Sequence, residues 1–244
     1  MTGFPVPVAA PPDQPVVYFP ACPTRMFGAN PTEYDLRPAP QAMIALLQRA
    51  GFEVIVPDGL DGACCGQPFL SKGFPEQSRE VGNRLVEKLA PQGALVLTDA
   101  STCAKHLREH HGEVTVADSA EFLVAEVLPR LTVLRKLPAV AVHHNCSAQR
   151  MKEQAAITAV AAACAETVAP LETVSCCGFA GDKGLFAPEL NAWATRFVKN
   201  DIPAGCALGV STVATCATGL SEHAGIPFVS LASLLEYVTR PDAN

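Results

Sequence analysis

Residues 174–184 read Val-Ser-Cys-Cys-Gly-Phe-Ala-Gly-Asp-Lys-Gly, and residues 62–66 read Gly-Ala-Cys-Cys-Gly. Adjacent cysteines are unusual as structure. In an extended strand their side chains point to opposite faces. To aim both at one place the backbone must turn, and Gly66 or Gly178 supplies the positive φ that other residues resist. Each triplet has a further cysteine upstream and another downstream. The first half runs Val17-Tyr-Phe-Pro-Ala-Cys22, then Cys64-Cys65-Gly66, then Leu97-Thr-Asp-Ala-Ser-Thr-Cys103. The second runs Val140-Ala-Val-His-His-Asn-Cys146, then Cys176-Cys177-Gly178, then Ser211-Thr-Val-Ala-Thr-Cys216. From the doublet onward the halves keep an offset of 112 to 113 residues, so the chain reads as a duplicated unit. The predicted division is a Pro-rich leader or linker over 1–15, a first unit over 16–137 and a second over 138–240.

Each unit alternates strand and helix. Val16–Phe19 is a β-branched and aromatic run, hence a strand. Gln41–Arg49 is helical and stops at Gly51. Glu53–Val56 is a strand that stops at Pro57. Pro75 suits the first turn of a helix to Leu89. Ala94–Thr98 is a buried strand. Asp118 with Glu121 forms a capping-box pattern for a helix to Leu128. The second unit gives strand Ala139–His143, helix Lys152–Val168, helix Pro188–Lys199, strand Ala207–Ser211, strand Pro227–Val229 and helix Ser230–Val238. This alternation predicts an α/β fold of two pseudo-symmetric lobes, each a mainly parallel sheet flanked by helices. Ligands of such sheets collect at strand carboxyl ends. Each cysteine motif falls just past a strand, so the two sets converge near the lobe interface.

The 244 residues are about half apolar and 17% charged, enough for a substantial core. A formal net charge of −6 without a Lys/Arg cluster argues against nucleic acid as a partner. The N-terminus lacks the basic start and apolar run of a signal peptide. Ala155–Leu171 contains Glu166 and is too short to span a bilayer. A cytoplasmic protein is expected, in one version peripheral to the inner face of the membrane. The chain has ten cysteines, and in a reducing cytosol thiols that cluster in sequence speak for metal or redox chemistry over disulfides.

Thiolates are soft ligands that suit iron–sulfur clusters or zinc. Free cysteines are also common as small buried hydrophobes. That reading fits Cys164 and Cys206, which have no counterpart in the other half. Zinc hooks have Cys-x-x-Cys or Cys-x-x-His spacing. Cys103-Ala-Lys-His106 matches one, but Cys216-Ala-Thr-Gly219 has lost the histidine. His110 and His223 follow Cys103 and Cys216 by seven residues, on the same helix face. They read as last-turn residues before the C-cap glycines Gly112 and Gly225, with ligation as the alternative. His143 and His144 end a strand beside Cys146 and read as supporting groups or as packing. Arg25, Asp182 and Lys183 lie near motif cysteines, where they either tune a potential or solvate a loop. The motifs G-x-G-x-x-G, G-x-S-x-G, H-E-x-x-H and the P-loop are absent, as is the compact ferredoxin pattern.

The doubled Cys…Cys-Cys-Gly…Cys pattern resembles the cysteine-rich CCG domain. That domain occurs in a heterodisulfide reductase subunit, in iron–sulfur subunits of glycolate and lactate oxidation, and in a subunit of anaerobic glycerol-3-phosphate dehydrogenase. Thr98-Asp-Ala-Ser-Thr-Cys103, His143-His-Asn-Cys146-Ser, Cys176-Cys-Gly-Phe-Ala-Gly-Asp-Lys-Gly184 and Pro188-Glu-Leu are most similar to the C-terminal region of FAD- and iron–sulfur-containing D-lactate or D-2-hydroxyglutarate dehydrogenases. The resemblance implies an electron-transfer module, not catalytic alone. It implies FAD on a partner chain or missing domain, a ferredoxin-like Fe–S domain as a further partner, and a quinone or membrane-associated acceptor. The ligands it implies for one or two [4Fe–4S] clusters are Cys22, Cys64, Cys65 and Cys103 in the first unit, and Cys146, Cys176, Cys177 and Cys216 in the second. The heterodisulfide reductase pattern has a fifth cysteine per unit, where this chain has Ala100 and Val213. The alternatives are a zinc-binding or metal-free assembly scaffold and a heterodisulfide- or thiol-reductase-type subunit. The chain is expected to be a separate subunit or a domain of a longer polypeptide.

Overall fold

The computed structural model describes residues 15–28 and 30–242. The leader assigned to 1–15 lies, except for Pro15, outside the described residues. The first unit runs β1 (Val16–Phe19), α1 (Cys22–Met26), α2 (Ala39–Arg49), β2 (Val54–Ile55), α3 (Gln67–Ser71), α4 (Pro75–Leu89), β3 (Leu95–Thr98), α5 (Ser101–His110), β4 (Val116–Asp118) and α6 (Ser119–Phe122). The second runs β5 (Leu137–His143), α7 (Cys146–Met151), α8 (Gln154–Cys164), β6 (Ala165–Pro170), α9 (Lys183–Phe186), α10 (Pro188–Ala194), β7 (Gly209–Ser211), α11 (Ala214–Ala224), β8 (Phe228–Ser230) and α12 (Leu231–Thr239).

Two four-stranded sheets result, in the orders β2-β1-β3-β4 and β6-β5-β7-β8. Every pairing is parallel. A central parallel strand is covered on both faces and therefore apolar throughout. Val16, Val17, Tyr18 and Phe19 of β1 are accordingly all fully buried. The two orders are the same topology repeated, so the fold is α/β with two lobes, as the alternation predicts.

Helices join the lobes. α2 packs on α12, and α6 with the turn after it packs on α8. These are equivalent contacts under the exchange of one unit for the other. Met43, Leu46, Leu123, Ile157, Leu234 and Val238 form the apolar layer between the sheets. A second core, including Phe19, Leu85, Leu107, Phe179 and Leu220, lies under the cysteine loops. The cysteine helices also cross the boundary, α1 against α11 and α5 against α7. Among the described residues, no helix is long and apolar enough to cross a membrane.

Three expectations need correction. The helix expected over 152–168 is shorter: α8 ends at Cys164, and β6 pairs with β5 from Ala165. Ala-rich helix propensity gives way to the open edge of β5, which the β-branched pair Thr167-Val168 suits. Asp118 does cap its helix, its Oδ1 accepting from the Ala120 amide at 2.8 Å. The helix then passes into a π turn over Leu123–Val127 and a 3₁₀ turn over Leu128–Arg130 instead of running on as α. The helix expected to reach Lys199 stops at Ala194, where Thr195 Oγ1 donates back to the Asn191 carbonyl at 2.7 Å.

Between the units lies a buried ionic group. Arg108 donates to Glu121 at 2.8 Å and to Glu153 at 3.2 Å. Glu153 Oε2 and Asp118 Oδ2 are buried without a hydrogen-bond partner. Burial, then the neighbouring carboxylates Asp118 and Glu121, push Glu153 up to about 9 against the opposing Arg108. A carboxyl raised in the folded state holds a proton that the unfolded chain has released. The stability it contributes is full below the unfolded pKa and is lost as pH rises through the folded value. Stability should therefore fall on going from pH 7 to 9.5, by at most about 1.4 kcal/mol per pH unit for one proton. In Glu153→Gln that alkaline decline should flatten. Thermal unfolding of both proteins across this range checks it, and parallel declines would refute it.

Candidate thiol centres

Each motif cysteine sits past the carboxyl end of a strand because the strand–turn–helix geometry puts it there. Cys22 and Cys146 open α1 and α7, after β1 and β5. Cys103 and Cys216 lie in the first turns of α5 and α11, after β3 and β7. The doublets lie in the loops after β2 and β6. The positions that would hold a fifth thiol, Ala100 and Val213, are buried N-cap residues of α5 and α11.

The doublet turn works the same way in both units. Gly66 has φ +100° and Gly178 has φ +73°. In both turns the glycine amide reaches the first sulfur of the doublet. Gly66 N donates to Cys64 Sγ at 3.4 Å, and Gly178 N to Cys176 Sγ at 3.4 Å. The second sulfur meets the downstream cysteine. Cys65 and Cys103 sulfurs are 3.4 Å apart, and those of Cys177 and Cys216 are 2.9 Å apart. All ten cysteines are free thiols.

The electrostatics repeat as well. Hydrogen bonds from Cys22 and Cys65, then the Gly66 amide and the nearby His106, pull Cys64 down to about 3. Hydrogen bonds from Cys146 and Cys177, then the Gly178 amide and His143, pull Cys176 down to about 2. The donating thiols Cys22 and Cys146 are pushed up, first by that same hydrogen bond and then by burial. Each unit therefore offers one stabilised thiolate with three further thiols gathered around it. Among the described residues, no group of three or more His, Cys, Asp or Glu is placed to hold a single metal ion. The donor set is all sulfur, with two buried thiols per unit and backbone amides aimed at sulfur. That chemistry fits an iron–sulfur cluster, whose potential such amide hydrogen bonds tune.

The two centres differ in shelter. Cys22 and Cys64 are half-buried, whereas Cys146 and Cys176 are exposed. Arg25 closes the first centre by donating to the carbonyls of Pro20 at 3.1 Å, Ala63 at 2.5 Å and Leu60, which pins the loop leading to Cys64. Its role here is to hold that loop.

The histidines are mostly engaged elsewhere. His106 is buried, with Nδ1 3.0 Å from Gln67 Oε1 and Nε2 3.4 Å from Ser78 Oγ. In the second unit Asn191 and Phe179 crowd the equivalent Gly219, so no side chain fits there. His144 Nε2 bonds Thr158 Oγ1 at 3.0 Å. His143 is fully buried, with Nδ1 3.2 Å from Ser211 Oγ and no partner for Nε2. Gly225 caps α11 at φ +79°, as expected for the turn after His223. Gly112 does not play this part, because α5 ends on His111 at φ −138°. Asp182 pairs with Lys72 of the first unit at 2.5 Å, and Lys183 opens α9.

Two residues inside the quoted motifs tie the centres in place, in a role that motif reading does not assign. Asp99 accepts from Tyr18 Oη at 2.6 Å, the Ala21 amide at 2.9 Å and Thr24 Oγ1 at 3.1 Å. This fastens the start of the Cys22 helix to β3. Asn145 does the same in the second unit, accepting from the Ser147 and Ala148 amides at 3.0 Å and donating to Thr212 at 2.5 Å. Thr212 also bonds Ser101 at 2.8 Å, which links the units. The only sequence signal is position: a polar side chain between a strand end and a cysteine helix.

Two parallel-sheet units, each gathering four thiols at its carboxyl edge, define a duplicated cysteine-centre module. The chain belongs to the CCG cysteine-rich domain family, whose model matches residues 16–108 and 140–221. It is 26% identical over 170 residues to Lactate utilization protein A of Exiguobacterium sp. strain AT1b, covering 62% of this chain and 69% of that protein. It is 28% identical over 162 residues to Lactate utilization protein A of Geobacillus thermodenitrificans strain NG80-2, covering 58% of this chain and 65% of that protein. The glutamate racemase of Francisella tularensis in complex with D-glutamate aligns with 96% of this chain and 86% of its own at 9% identity, but its TM-score of 0.39 bears on neither fold nor function.

Proposed function

We propose that this chain is an iron–sulfur electron-transfer module of a flavin-dependent oxidation of lactate or a related 2-hydroxy acid. The observation that carries this reading is the gathering of eight thiols, four by four, at equivalent strand ends, with the Cys65–Cys103 and Cys177–Cys216 sulfurs in contact. In this reading Cys22, Cys64, Cys65 and Cys103 hold a cluster in the unit over 16–137. Cys146, Cys176, Cys177 and Cys216 hold one in the unit over 138–240. A [4Fe–4S] cluster bound there supplies one-electron capacity that the side chains lack. The protein's own part is to hold the thiolates, to donate Gly66 and Gly178 amides toward sulfur, and to cover the buried pair with apolar core. The two relatives called Lactate utilization protein A support lactate as the substrate class. A partner chain or domain would hold the flavin and supply the hydride chemistry, a quinone or other acceptor would take the electrons, and the module works in the cytoplasm or at the inner membrane face.

Iron and acid-labile sulfide, measured on protein purified without oxygen, test this. About four or eight irons per chain, with matching sulfide and an EPR signal on reduction, are expected. Colourless protein after reconstitution, or stoichiometric zinc in its place, would remove the reading. Turnover of a disulfide by the isolated reduced protein would favour a reductase instead.

A further inference from the structure

Helix α10 is built inside out. Its inward face carries Asn191, followed by Thr195 at the C-cap, both buried. Its outward face carries Leu190 and Trp193, and Phe186 at the end of α9 and Phe197 past the C-cap continue the apolar stripe on either side. Phe186 is 81% exposed, Leu190 47%, Trp193 69% and Phe197 51%, with Leu185 beside them at 56%. A surface helix of a soluble protein normally shows the reverse. The first unit supplies an internal comparison. Helix α4 follows its Cys-Cys-Gly turn in the same way, and it buries Leu85, Val86 and Leu89. Its outer face shows Glu76, Glu80, Arg84 and Glu87 to water. Along the helix itself the solvent face is charged in the first unit and apolar in the second, although Phe74, at the position of Phe186, is also 52% exposed.

The inverted helix lies directly on the second thiol centre. Asn191 Nδ2 donates to the Cys177 carbonyl at 2.6 Å. The Leu190 carbonyl stands 2.4 Å from where a Gly178 Cβ would be. This is also the centre whose Cys146 and Cys176 are exposed. Arg196 stacks on Trp193 at 4.0 Å and on Phe197 at 4.6 Å. Trp, Phe and Arg are the residues that anchor protein interfaces.

We propose that the stripe Phe186, Leu190, Trp193 and Phe197, with Arg196 stacked on it, is the docking face for the redox protein that exchanges electrons with the second thiol centre. This rests on the electron-transfer reading above. Size selects the occupant. The five apolar side chains leave on the order of 500 Å² in water. That is close to one side of a transient electron-transfer contact, below about 600 Å² per partner, and well short of an obligate dimer. Charge describes the partner further. Among the described residues, Lys183, Arg196 and Lys199 make no ion pair, while of the acids over 182–201 Asp182 pairs with Lys72, Asp201 accepts from Thr173 and Glu189 lies within the stripe. The complementary surface is apolar, has an acidic rim and brings a flavin or iron–sulfur group near its own surface. A bilayer suits the face less well. A chain of net charge −6 is repelled by anionic lipid.

In-cell photo-cross-linking tests this in the producing organism. The full chain carries Phe186→p-benzoylphenylalanine, with Arg84→p-benzoylphenylalanine on α4 as the comparison. The expected result is one adduct from position 186, identified by mass spectrometry as a flavin- or iron–sulfur-bearing protein, at least tenfold above position 84. Adding Trp193→Glu should lower its yield tenfold or more, with thermal unfolding and iron content unchanged. Adducts with lipid or with a second copy, equal yields from both positions, or no adduct would overturn the proposal. Iron content is read on the same sample, so a missing cluster is recognised separately from a missing partner.

Discussion

Cys65→Ser and Cys177→Ser are each expected to remove the iron of one unit and leave the other unit loaded. Both cysteines are buried and sit against a second ligand candidate, Cys103 or Cys216. Serine keeps the shape but offers a hard, protonated oxygen where a soft thiolate is needed. Each single variant should hold about half the wild-type iron and sulfide if both units are loaded with four-iron clusters, and the double variant close to none. The apo fold of each should lose about 1–3 kcal/mol from burying a hydroxyl, since the exchange conserves volume but not polarity. Cys164→Ser is the control. It is buried in the core of the second unit, and burial pushes its thiol up to about 12. That variant should lose about 1–3 kcal/mol of stability from burying a hydroxyl and keep all its iron. Full iron in both Cys65→Ser and Cys177→Ser would mean that the doublets are not ligands.

Gly66→Ala is expected to be the most damaging single-methyl change in the first unit. Its φ of +100° is strained for any residue with a Cβ, and that Cβ would lie 2.4 Å from the Ser78 carbonyl oxygen. Left-handed strain costs about 1–2 kcal/mol, and overpacking against backbone adds about 1–3 kcal/mol. Gly62 separates the two effects. It also has positive φ, +73°, but nothing lies within 4 Å of its Cβ position. Gly62→Ala should therefore lose only the strain, and Gly66→Ala about 2–5 kcal/mol in all. Denaturant unfolding of the two variants measures the difference. Gly66→Ala should also release the Cys64 thiolate from its amide, so iron in the first unit should fall with stability. Equal losses in the two variants would show that the Ser78 contact relaxes away.

Much of this was legible in the chain because it is local or repeated. Two Cys-Cys-Gly triplets at a constant offset announce a duplication, and a doublet cannot converge without the turn that glycine permits. Val16–Phe19 carries enough pattern to place a strand to the residue, and Pro75 to start a helix that runs to about Leu89. The carboxyl-edge position of every motif cysteine follows from parallel strand–helix alternation.

Other features depend on partners distant in sequence, and no local pattern encodes them. Thr167-Val168 become a strand only because β5 presents an open edge to them. His106 looks like half of a zinc hook, yet Gln67 and Ser78 occupy both ring nitrogens. Asp99 and Asn145 gain their roles from helix starts that fold back onto the next strand. The outward turn of α10 is the clearest case. Periodicity over 186–197 shows an apolar stripe, and a stripe reads as core until the packing is known. Asn191 reaching the Cys177 carbonyl orients the helix, so tertiary contact sends the stripe into water. The duplication, the parallel α/β architecture and the two sets of four thiols are written in the chain, since each follows from spacing and backbone conformation. Which cysteines are sheltered, which histidines are engaged and which face of α10 meets solvent are settled in three dimensions, since burial and hydrogen-bond partners are set by residues far apart in the chain.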